Sequence, residues 1–492
     1  MNSTISDIDT VIVGAGFGGL CMAIKLREAG MGNLVILEKG DEVGGTWRDN
    51  HYPGAACDVQ SHLYSFSFAP KADWSQRYAG WAEIQQYILD VTAQYDLRRD
   101  IRFGSEVTGA VWHEDETRWH ITTRDGNTWR CRQWVLATGP LHVPAMPDIP
   151  GLNQFAGPVM HSARWRDDVA LAGKRVASIG SGGSAIQYVP EIAPTVAHLT
   201  VFQRTPAWVI PRDARRYSAW RQWTFAHLPG ARWLHRARLY WSNESRVWPL
   251  FRPALAGLVQ RAVAWWMRRQ VDDPLLADRL VPRYLIGCKR ILVSNLWLKA
   301  FNRKNVELVT DAITEIRPHA VVTADGREHP ADVLILGTGF VVDPRLYMRD
   351  FALVGRNGHR LADDWAKTPT AYLGIGMAGY PNMFQLVGPH TALGHNSVIF
   401  MIEAQVHYIV EALRERARRK AAWMDVTPGA QADFLAWVTR KLAGTVWTSG
   451  CRSWYQAADG TNFTLWPGST WRYWLACRRP KAEHFTFGGT AS

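Results

Sequence analysis

Short apolar runs, each followed by a helix-length segment, set the pattern of the first part of the chain. Residues 9–14 (DTVIVG) are apolar and rich in β-branched side chains, which predicts a buried strand, and residues 20–30 follow with the pattern of a helix. A second apolar run, residues 34–37, ends at Glu38. Strand, helix and strand in this order predict an α/β fold.

The turn between the first strand and its helix carries a glycine motif. Residues 14–19 read GAGFGG, and Glu38 lies 19 residues beyond Gly19. Glycines at this spacing let backbone N–H groups approach a pyrophosphate at the helix N-terminus, and the acid accepts a hydrogen bond from a ribose hydroxyl. Because every flanking element is in place, the motif favours a dinucleotide site over an ordinary tight turn. Its candidate cofactor-binding residues are Gly14, Gly16, Gly18, Gly19 and Glu38.

The same pattern returns in the middle of the chain. Residues 174–179 predict a second strand, residues 180–185 read GSGGSA, and a helix and a further strand at residues 198–202 follow. Here the last strand ends at Gln203-Arg204-Thr205 and not at an acid. The candidate cofactor-binding residues of this second fold are Gly180, Gly182, Ser184, Gln187, Arg204 and Thr205.

The difference at the end of the second strand indicates which dinucleotide each fold binds. An acid suits the free ribose of NAD or FAD, whereas an arginine suits the 2′-phosphate of NADP. The alternative for Arg204 is a solvated surface arginine. Two folds imply two bound dinucleotides, or one bound dinucleotide and a second fold that has lost its binding function. We therefore predict an α/β fold with two Rossmann-like dinucleotide-binding domains, for FAD and NADPH, and a flavin oxidoreductase.

Residues 213–280 differ from both nucleotide folds. They carry few strand signals and many arginines, and their tryptophans are Trp220, Trp223, Trp233, Trp241, Trp248, Trp265 and Trp266. This composition predicts a mainly helical insertion. It fits an amphipathic cap, a lid over the substrate opening or a surface that contacts membranes. Nucleic acid binding is disfavoured, because no recognisable nucleic-acid-binding motif accompanies the arginines.

Strand signals resume after the insertion and indicate how the domains are divided. Residues 332–336 run into Gly337-Thr-Gly339, and residues 133–137 run into Thr138-Gly139 in the same way. Small residues at both places allow the chain to cross between domains at close range. We predict a first FAD part at residues 1–145, a first NADP part at 146–212, the insertion at 213–280, a second NADP part at 281–336, and a second FAD part with a C-terminal control loop at 337–492.

Composition and charge narrow the class of protein. Apolar residues make up 47% of the 492 residues and charged residues 20%, which excludes a disordered or fibrous chain. The net charge of +12 fits either a nucleic-acid or membrane surface, or a pocket for polyanionic cofactors with a basic exterior. No run of about 18 apolar residues predicts a membrane-spanning helix, and the polar N-terminus, with Asp7 and Asp9, predicts no signal peptide.

The cysteines are scattered at Cys21, Cys57, Cys131, Cys288, Cys451 and Cys477. They form no C-x-x-C pair and no cluster with histidines. This argues against a structural zinc or other metal site, against a redox-active disulfide and against a secreted scaffold. We predict a cytoplasmic protein that needs no disulfide framework to fold.

Two longer motifs resemble a known family. Residues 155–165, FAGPVMHSARW, resemble the fingerprint F-x-G-x-x-x-H-x-x-x-W-P/D of the type I Baeyer–Villiger monooxygenases, which are class B flavoprotein monooxygenases. Residues 44–58, GGTWRDNHYPGAACD, resemble that family's second signature, A/G-G-x-W-x-x-x-x-F/Y-P-G/M-x-x-x-D. Arg166 departs from the family's Pro or Asp. Trp165 favours this branch, because N- and S-oxygenating relatives carry Tyr or Phe there.

The resemblance implies an activity. NADPH would reduce FAD, the reduced flavin would form a C4a-peroxyflavin with dioxygen, and this species would convert a small-molecule ketone to an ester or lactone. Separately from the resemblance, the many aromatic residues around 213–280 and 447–474 favour a bulky apolar ketone. N- or S-oxygenation on the same scaffold is the alternative. A pyridine nucleotide–disulfide reductase is disfavoured because it needs a cysteine pair beside the flavin. Hydrolysis is disfavoured because the sequence has no nucleophile-elbow order.

The resemblance also implies roles for single residues. Arg290 in the segment GCKR (287–290) would stabilise the peroxide and the tetrahedral intermediate, Asp58 would pair with Arg290, and Lys289 would contact NADP. His161 would hold the linker between the nucleotide domains and perform no acid–base chemistry. Beyond the glycine motifs, the implied cofactor-binding residues are Thr46, Trp47, Asp58, Tyr64, Val107, Lys289, Arg290 and Trp454.

Two C-terminal segments complete the resemblance. Residues 446–460 resemble the family's mobile loop, in which Trp454 would meet NADP when the site closes and excludes water. Residues 381–384 and 395–397, before a helix that contains Glu403, resemble the segment that lines the flavin ring. The N-terminus of that helix would support the negative charge of the reduced flavin. The sequence sets no oligomeric state.

Overall fold

The computed structural model describes residues 5–451, 453–457 and 459–490. Its strands, numbered along the chain, are β1 (Ile5–Val13), β2 (Leu34–Leu37), β3 (Ile101–Arg102), β4 (Val107–His113), β5 (Arg118–Thr123), β6 (Thr128–Leu136), β7 (Val159–His161), β8 (Arg175–Ile179), β9 (His198–Phe202), β10 (Val209–Ile210), β11 (Leu292–Val293), β12 (Val306–Val309), β13 (Ile313–Arg317), β14 (Ala320–Thr323), β15 (Glu328–Pro330), β16 (Val333–Leu336), β17 (Ala352–Val354), β18 (Met383–Gln385), β19 (Ala421–Val426) and β20 (Phe485–Thr490).

The helices are α1 (Phe17–Glu28), α2 (Thr46–Asp49), α3 (Trp81–Gln94), α4 (Ala185–Ile192), α5 (Ala219–His227), α6 (Ala231–Glu244), α7 (Val247–Leu250), α8 (Pro253–Arg268), α9 (Pro274–Leu280), α10 (Trp297–Ala300), α11 (Pro344–Tyr347), α12 (Leu361–Asp364), α13 (Val398–Arg418), α14 (Pro428–Leu442) and α15 (Thr470–Ala476). Short 3₁₀ helices lie at Arg98–Asp100, Leu152–Gln154, Ser162–Arg164, Arg356–Gly358, Val446–Thr448 and Ala482–His484.

The first sheet has the order β17-β4-β5-β6-β1-β2-β3, with β18 also paired to β6. Its centre is parallel, since β1 pairs with β2 and with β6 in the same direction, and Val13 lies beside both Leu37 and Leu136. The carboxyl ends of these three strands therefore meet at one edge. Ligands of open α/β sheets bind at this kind of edge.

The second sheet has the order β12-β9-β8-β16-β7, and all its pairings are parallel. Ile179 at the end of β8 lies beside Phe202 and Leu336. The predicted α/β architecture with two Rossmann-like sheets is confirmed. Small sheets (β13-β14-β15, β10-β11 and β19-β20) accompany these two.

Burial explains why these segments form the elements that they do. The β1 side chains Val11 and Ile12 are fully buried, which fits a strand covered on both faces. Helix α1 buries Leu20 and Ile24 and packs against α13, whose inner face is also apolar. Each aliphatic side chain removed from water in this way contributes about 1.5–3 kcal/mol.

The chain crosses between the two sheets at residues 137–145 and 337–343. The two crossings are hydrogen-bonded to each other: Ala145 N donates to Gly339 O (2.9 Å) and Val341 N donates to Val143 O (2.9 Å). The predicted domain boundaries at 145 and 336 lie at or beside these crossings, and the division into domains remains a prediction.

Helices α5 to α9 occupy the segment that was predicted as an insertion. The inner face of α6 is polar where it meets the first sheet's loops, since Arg236 donates to His62 O (2.6 Å) and Ser65 O (3.0 Å). Buried Glu244, at the end of α6, accepts hydrogen bonds from Thr470 N (2.7 Å) and Asn396 Nδ2 (2.7 Å). The insertion is therefore fastened to loops beside the first sheet and to the C-terminal part of the chain. None of the described helices combines the length and apolar character needed to cross a membrane.

One expectation from the cysteines needs correction. Spacing argued against a redox-active disulfide and predicted no disulfide framework, but Cys288 and Cys451, 163 residues apart, are joined in a disulfide. Sequence spacing cannot reveal such a pair because the tertiary fold brings the two segments together. Cys21, Cys57, Cys131 and Cys477 are free and buried.

Candidate active site

The first glycine motif forms a trough without side chains at the start of α1. Gly14 has a φ of +105°, and a Cβ on it would lie 2.7 Å from the carbonyl oxygen of Ala137. A Cβ on Gly19 would overlap the carbonyl oxygen of Gly14. Opposite the motif, Gly45 approaches Gly16 so closely that its Cβ would lie 3.5 Å from the Gly16 Cα. Only glycine leaves this approach open.

The trough is suited to a pyrophosphate. The N-terminus of α1 has no side-chain cap and no acidic residue in its first turn. Its free N–H groups and the helix dipole therefore face the trough and favour an anion. Gly18 lies on the other side of this turn, where its Cβ would be 3.2 Å from Leu386 Cδ1. These observations fit the diphosphate of FAD.

Glu38 is buried at the end of β2 and is held beside the trough. Its Oε2 accepts from Ala15 N (2.8 Å), and its Oε1 accepts from Gly40 N (2.8 Å) and Arg48 Nη1 (3.0 Å). These donors keep the carboxylate in place, and Oε2 retains a further acceptor position. The arrangement suits a ribose hydroxyl at this strand end.

Three of the other residues predicted for FAD, namely Thr46, Trp47 and Tyr64, lie beside the same trough. Thr46 begins α2, directly after Gly45. Trp47 donates from Nε1 to the Tyr64 hydroxyl (3.2 Å), and the Tyr64 ring packs edge-on against Phe17 at 5.4 Å, at the start of α1. Val107 begins β4 and is half-buried. Trp47 and Tyr64 are thus grouped beside α1 by direct contacts.

The second glycine motif is more open than the first. Gly180 has a φ of +113°, and a Cβ there would overlap the carbonyl oxygen of Gly337. At Gly182, by contrast, no described atom lies within 4 Å of the Cβ position. Ser184 precedes α4, whose first turn contains no acid. The start of α4 therefore has free N–H groups that face open space, which fits the pyrophosphate of NADP.

Gln187 lies on α4 and joins the two halves of the molecule. Its Oε1 accepts from the Tyr52 hydroxyl (3.0 Å) and from Ala56 N (3.3 Å), and its Nε2 donates to Ala56 O (2.9 Å). The amide is engaged in these contacts. Its predicted contact with the cofactor stays a prediction.

Two cations lie together at the NADP side. Arg204 is exposed, and Lys289 is half-buried with its Nζ 5.0 Å from the centre of the Tyr284 ring. Burial lowers the pKa of Lys289, and the charge of Arg204 lowers it further. Within the described ranges, neither cation has a carboxylate at ion-pair distance. Thr205 lies next to them, and its carbonyl oxygen accepts from Ser181 Oγ (3.3 Å). Two uncompensated positive charges fit the 2′-phosphate.

Arg290 and Asp58 form an ion pair between the two nucleotide folds. Nη2 of Arg290 lies 2.5 Å from Oδ2 of Asp58, although 232 residues separate them. Their side chains are 38% and 30% exposed, so the pair faces an opening. Asp58 raises the pKa of Arg290 further above its ordinary value. Because a partly exposed pair contributes only about 0–1 kcal/mol to stability, positioning of the guanidinium is the larger consequence.

Sequence reasoning missed two neighbours of this pair. Tyr455 is fully buried within electrostatic range of Arg290, and burial raises its pKa to about 12. Arg212 donates from Nη2 to the carbonyl oxygens of Cys57 (3.3 Å) and Tyr78 (3.4 Å), which holds the backbone beside Asp58. The position of Tyr455 next to Trp454 was a usable signal. Arg212 had none, because 155 residues separate it from Cys57.

The predicted control loop lies over the Arg290 segment. Its first turn is anchored by Trp447, whose ring packs edge-on against Phe251 at 5.4 Å. Trp454 is 39% exposed and lies against Tyr455, with ring centres 4.4 Å apart. Arg452 and Ala458, which belong to this predicted loop, lie outside the described residues.

Two fingerprint residues, His161 and Trp165, pack inside the fold. His161 is buried at the end of β7, and its Nδ1 accepts from Ala163 N (3.0 Å). Burial lowers its pKa, which favours the neutral ring. Trp165 packs against Tyr188 at 5.8 Å, while Arg166 is exposed and pairs with Asp168. The departure at Arg166 is therefore at the surface.

The predicted flavin-lining segment leads into α13. Ser397 caps this helix by accepting from Ile399 N (3.3 Å), and Asn396 is held by Glu244 of the insertion. The start of α13 is thereby fixed to α6. Its role beside the flavin stays a prediction.

Two dinucleotide cradles that differ in charge and meet at a fixed guanidinium define a flavoprotein oxidoreductase. A family model described as pyridine nucleotide-disulphide oxidoreductase matches residues 11–228. This range covers both glycine motifs and ends before Cys288 and Cys451. The match therefore concerns the nucleotide-binding folds.

Curated relatives cover nearly the whole chain. A Baeyer–Villiger monooxygenase of Streptomyces coelicolor is 43% identical over 476 residues, 96% of this chain and 91% of that protein. Another of Pseudomonas aeruginosa is 41% identical over 480 residues, with the same shares. The crystal structure of OTEMO in complex with FAD and NADP superimposes with a TM-score of 0.90 at 27% identity, over 98% of this chain and 99% of that one.

The chain belongs to the Baeyer–Villiger monooxygenases. It is an FAD-dependent oxidoreductase that uses NADPH and dioxygen. The family predicted from the two motifs is confirmed.

Proposed function

We propose that Arg290, positioned by Asp58, is the catalytic cation for oxidation of a bulky apolar ketone. The observation that carries this proposal is the Arg290–Asp58 pair at the junction of the two cradles. When bound, FAD takes a hydride from NADPH and activates dioxygen for attack on the carbonyl. The residues of the chain must then stabilise negative charge on oxygen and exclude water.

Arg290 meets the first requirement. Its guanidinium cannot lose its proton at any working pH, and the Asp58 carboxylate reinforces this. One Asp58 oxygen holds Nη2, which leaves other N–H groups of the guanidinium free to bind an oxygen anion. Tyr455 keeps its hydroxyl proton because its pKa lies near 12. It therefore adds no competing negative charge beside the cation.

Lys289 and Arg204 meet the requirement for NADPH. We assign the 2′-phosphate to these two cations and the pyrophosphate to the open start of α4 at Gly182. Trp454, still 39% exposed, is available to cover the coenzyme when the loop closes. Such closure would protect the site from water and prevent loss of hydrogen peroxide.

Replacement of Arg290 tests the assignment. We expect Arg290→Ala to lower ester formation by about 10²–10³-fold, because removal of one charge-stabilising donor costs about 2.7–4 kcal/mol. NADPH oxidation should continue and release hydrogen peroxide. The measurement is ester by mass spectrometry together with NADPH consumption. Arg283→Ala is the matched control, because Arg283 is exposed on the same segment; undiminished ester yield in Arg290→Ala would contradict the proposal.

The substrate itself is a finer proposal. Aromatic side chains of the insertion and the control loop, such as Phe251 and Trp447, are in contact near the Arg290 segment. This supports a bulky apolar ketone. A panel of ketones of increasing size, incubated with the enzyme and NADPH, would show the preference, and equal rates for small polar ketones would contradict it. The cytoplasmic location stays a prediction.

A second proposal concerns the outer face of the insertion, defined as the exposed side chains of α5, α6 and α8. We propose that this face contacts an anionic phospholipid surface. Trp220, Trp233, Trp241 and Trp265 are between 57% and 73% exposed. On α6, Trp233 and Trp241 are two turns apart and therefore share one side of the helix. The opposite side is buried at Leu239.

Charge identifies the partner of this face. Residues 214–271 contain eleven arginines and one acid, Glu244, which is buried. Arg215 and Arg268 pair with Asp213 and Asp278, which lie just outside this range. Tryptophans together with an excess of arginines favour an interface with anionic headgroups. Each basic residue near such a surface contributes about 1 kcal/mol, and salt weakens this attraction.

Vesicle sedimentation tests the proposal. We expect the holoenzyme to sediment with phosphatidylglycerol vesicles at low salt and to be released as salt increases. The triple variant Trp220→Ser, Trp233→Ser, Trp241→Ser should bind weakly. Leu346→Ser is the control, because Leu346 is 64% exposed outside the insertion. Equal binding to phosphatidylcholine, or none to either lipid, would overturn the proposal.

A further inference from the structure

The Cys288–Cys451 disulfide joins two segments that the proposed function uses. Cys288 directly precedes Lys289 and Arg290, and Cys451 lies three positions before Trp454. Their Cα atoms are 6.2 Å apart, a normal separation for a disulfide. Cys288 is buried and Cys451 is half-buried. The bond therefore connects the interior to a partly accessible loop.

We infer that this disulfide is a reversible redox latch, which holds the control loop (residues 446–460) against the segment that carries Arg290. The inference rests on the proposed roles of Arg290 and of loop closure. It assigns a modification site to two cysteines that have no part in binding or chemistry.

The loop's other contacts explain why one bond would matter. Its first turn is anchored, since Val446 packs beside Gly287 and Trp447 packs against Phe251. From Ser449 to Ser453, the described hydrogen bonds stay inside the loop: Ser449 Oγ donates to Val446 O (2.7 Å), and Tyr455 N donates to Ser453 Oγ (3.3 Å). For the described residues between 449 and 453, the disulfide is thus the link to the Arg290 segment.

Tyr455 shows what the latch would position. This residue is fully buried within electrostatic range of Arg290, and Trp454 packs directly against it. A loop fixed at Cys451 keeps both aromatic rings close to the guanidinium. Among the described contacts, a loop released at Cys451 keeps its anchored first turn and, on its C-terminal side, the buried Tyr455, whose carbonyl oxygen accepts from Phe463 N (3.2 Å) and Thr464 Oγ1 (3.1 Å). Reduction would therefore loosen the part of the loop between these two anchors.

The surroundings suit thiol–disulfide exchange. A thiolate of a dithiol reductant attacks Sγ of Cys451, which is the more accessible sulfur, and the S–S bond breaks with Cys288 leaving as a thiolate. The second thiol of the reductant then displaces Cys451, so that the reductant leaves as a disulfide after donating two electrons. Lys289 and Arg290 follow Cys288 in the sequence, and positive charges near a cysteine favour its thiolate form.

Hydrogen peroxide can close the latch again. One thiolate attacks a peroxide oxygen and forms a sulfenic acid with release of hydroxide, and the other thiol attacks that sulfur and displaces water. The balance is two thiols and one peroxide to one disulfide and two waters. Because an open site releases peroxide from NADPH oxidation, an open loop would generate the oxidant that closes it.

Thiol mapping and proteolysis of the FAD-loaded enzyme with NADP⁺ test the latch. In the untreated enzyme, alkylation without reductant should yield linked peptides that contain Cys288 and Cys451. Dithiothreitol, or the variant Cys451→Ser, should increase proteinase K cleavage between residues 446 and 460 by about tenfold or more, because a cross-link opposes local opening. Hydrogen peroxide should reverse the effect of dithiothreitol in the wild type only.

The variant Ser449→Ala is the matched control, because it alters the same loop without the cross-link, and its cleavage should equal that of the wild type. Absence of linked peptides, or equal cleavage before and after reduction, would overturn the latch. Neither readout depends on turnover. The latch can therefore be disproved while the Arg290 assignment holds, and the Arg290 assignment can be disproved while the latch holds. A rise in released peroxide per NADPH on reduction would be the functional consequence.

Discussion

The two glycine cradles have the same backbone pattern but differ in how tightly they are closed. In the first, Gly45 faces Gly16 across the trough, and Cβ atoms on Gly14 or Gly19 would meet backbone. In the second, Gly180 is equally crowded, yet Gly182 faces open space. We interpret the enclosed cradle as suited to a cofactor that stays and the open one as suited to a coenzyme that exchanges.

The cradles also carry opposite charges at the ends of their second strands. Glu38 is buried and fixed by three N–H donors, whereas Arg204 is exposed and lies near Lys289. A fixed carboxylate selects a neutral ribose hydroxyl, and paired cations select a phosphate. The same backbone fold thus selects different dinucleotides by the charge of the residue that follows its second strand.

The largest expected effect comes from the difference in free space between the two cradles. We expect Gly19→Ala to weaken FAD binding by roughly 10–100-fold, because the new methyl overlaps the Gly14 carbonyl and overpacking costs about 1–3 kcal/mol. Gly182→Ala should retain full FAD content, because its Cβ enters open space. Flavin absorbance per protein after gel filtration measures both. Equal loss of FAD in the two variants would contradict the assignment of FAD to the first cradle.

An effect of intermediate size comes from the difference in charge between the two cradles. We expect Arg204→Ala to lower kcat/KM for NADPH by about tenfold, because a hydrogen bond to a charged group contributes about 1.5–3 kcal/mol. The value for NADH should change little, since NADH lacks the 2′-phosphate. Steady-state kinetics with both coenzymes provide the measurement. If kcat/KM fell equally for both coenzymes, Arg204 would not bind the 2′-phosphate.

The smallest effect depends on pH. Burial and Arg204 both lower the pKa of Lys289, so Lys289 loses its charge at a lower pH than an ordinary lysine. We therefore expect kcat/KM for NADPH to begin falling with rising pH below the usual lysine range. In Lys289→Arg the fall should disappear, and in Arg204→Ala it should move to higher pH. A pH profile identical in all three enzymes would exclude Lys289 as a phosphate ligand.

Local sequence was sufficient for the nucleotide folds. Residues 9–38 contain strand, glycine turn, helix, strand and acid in direct succession, and β1, α1 and β2 form there. The same holds for β8, α4 and β9. Such units depend on backbone geometry and apolar periodicity over about 30 residues, which neighbouring positions already encode.

The helical insertion marks the limit of that reasoning. Its composition predicted helices, but it could not tell which aromatic side chains are buried. Trp233 on α6 is 73% exposed, whereas Leu239 on the same helix is buried. Periodicity gives the two sides of a helix, but only packing against the first sheet's loops decides which side is covered.

The sequence by itself determined two dinucleotide folds, the acid and arginine that distinguish them, and the motifs of the family. The tertiary structure alone decided that Cys288 meets Cys451 and that Tyr455 lies near Arg290, and it brought Asp58 to Arg290 across 232 residues, as the family motifs had implied. The physical reason is that glycine turns and strand–helix succession are short-range properties of the chain. Contacts between distant segments arise only when whole sheets and helices pack, and no local pattern encodes them.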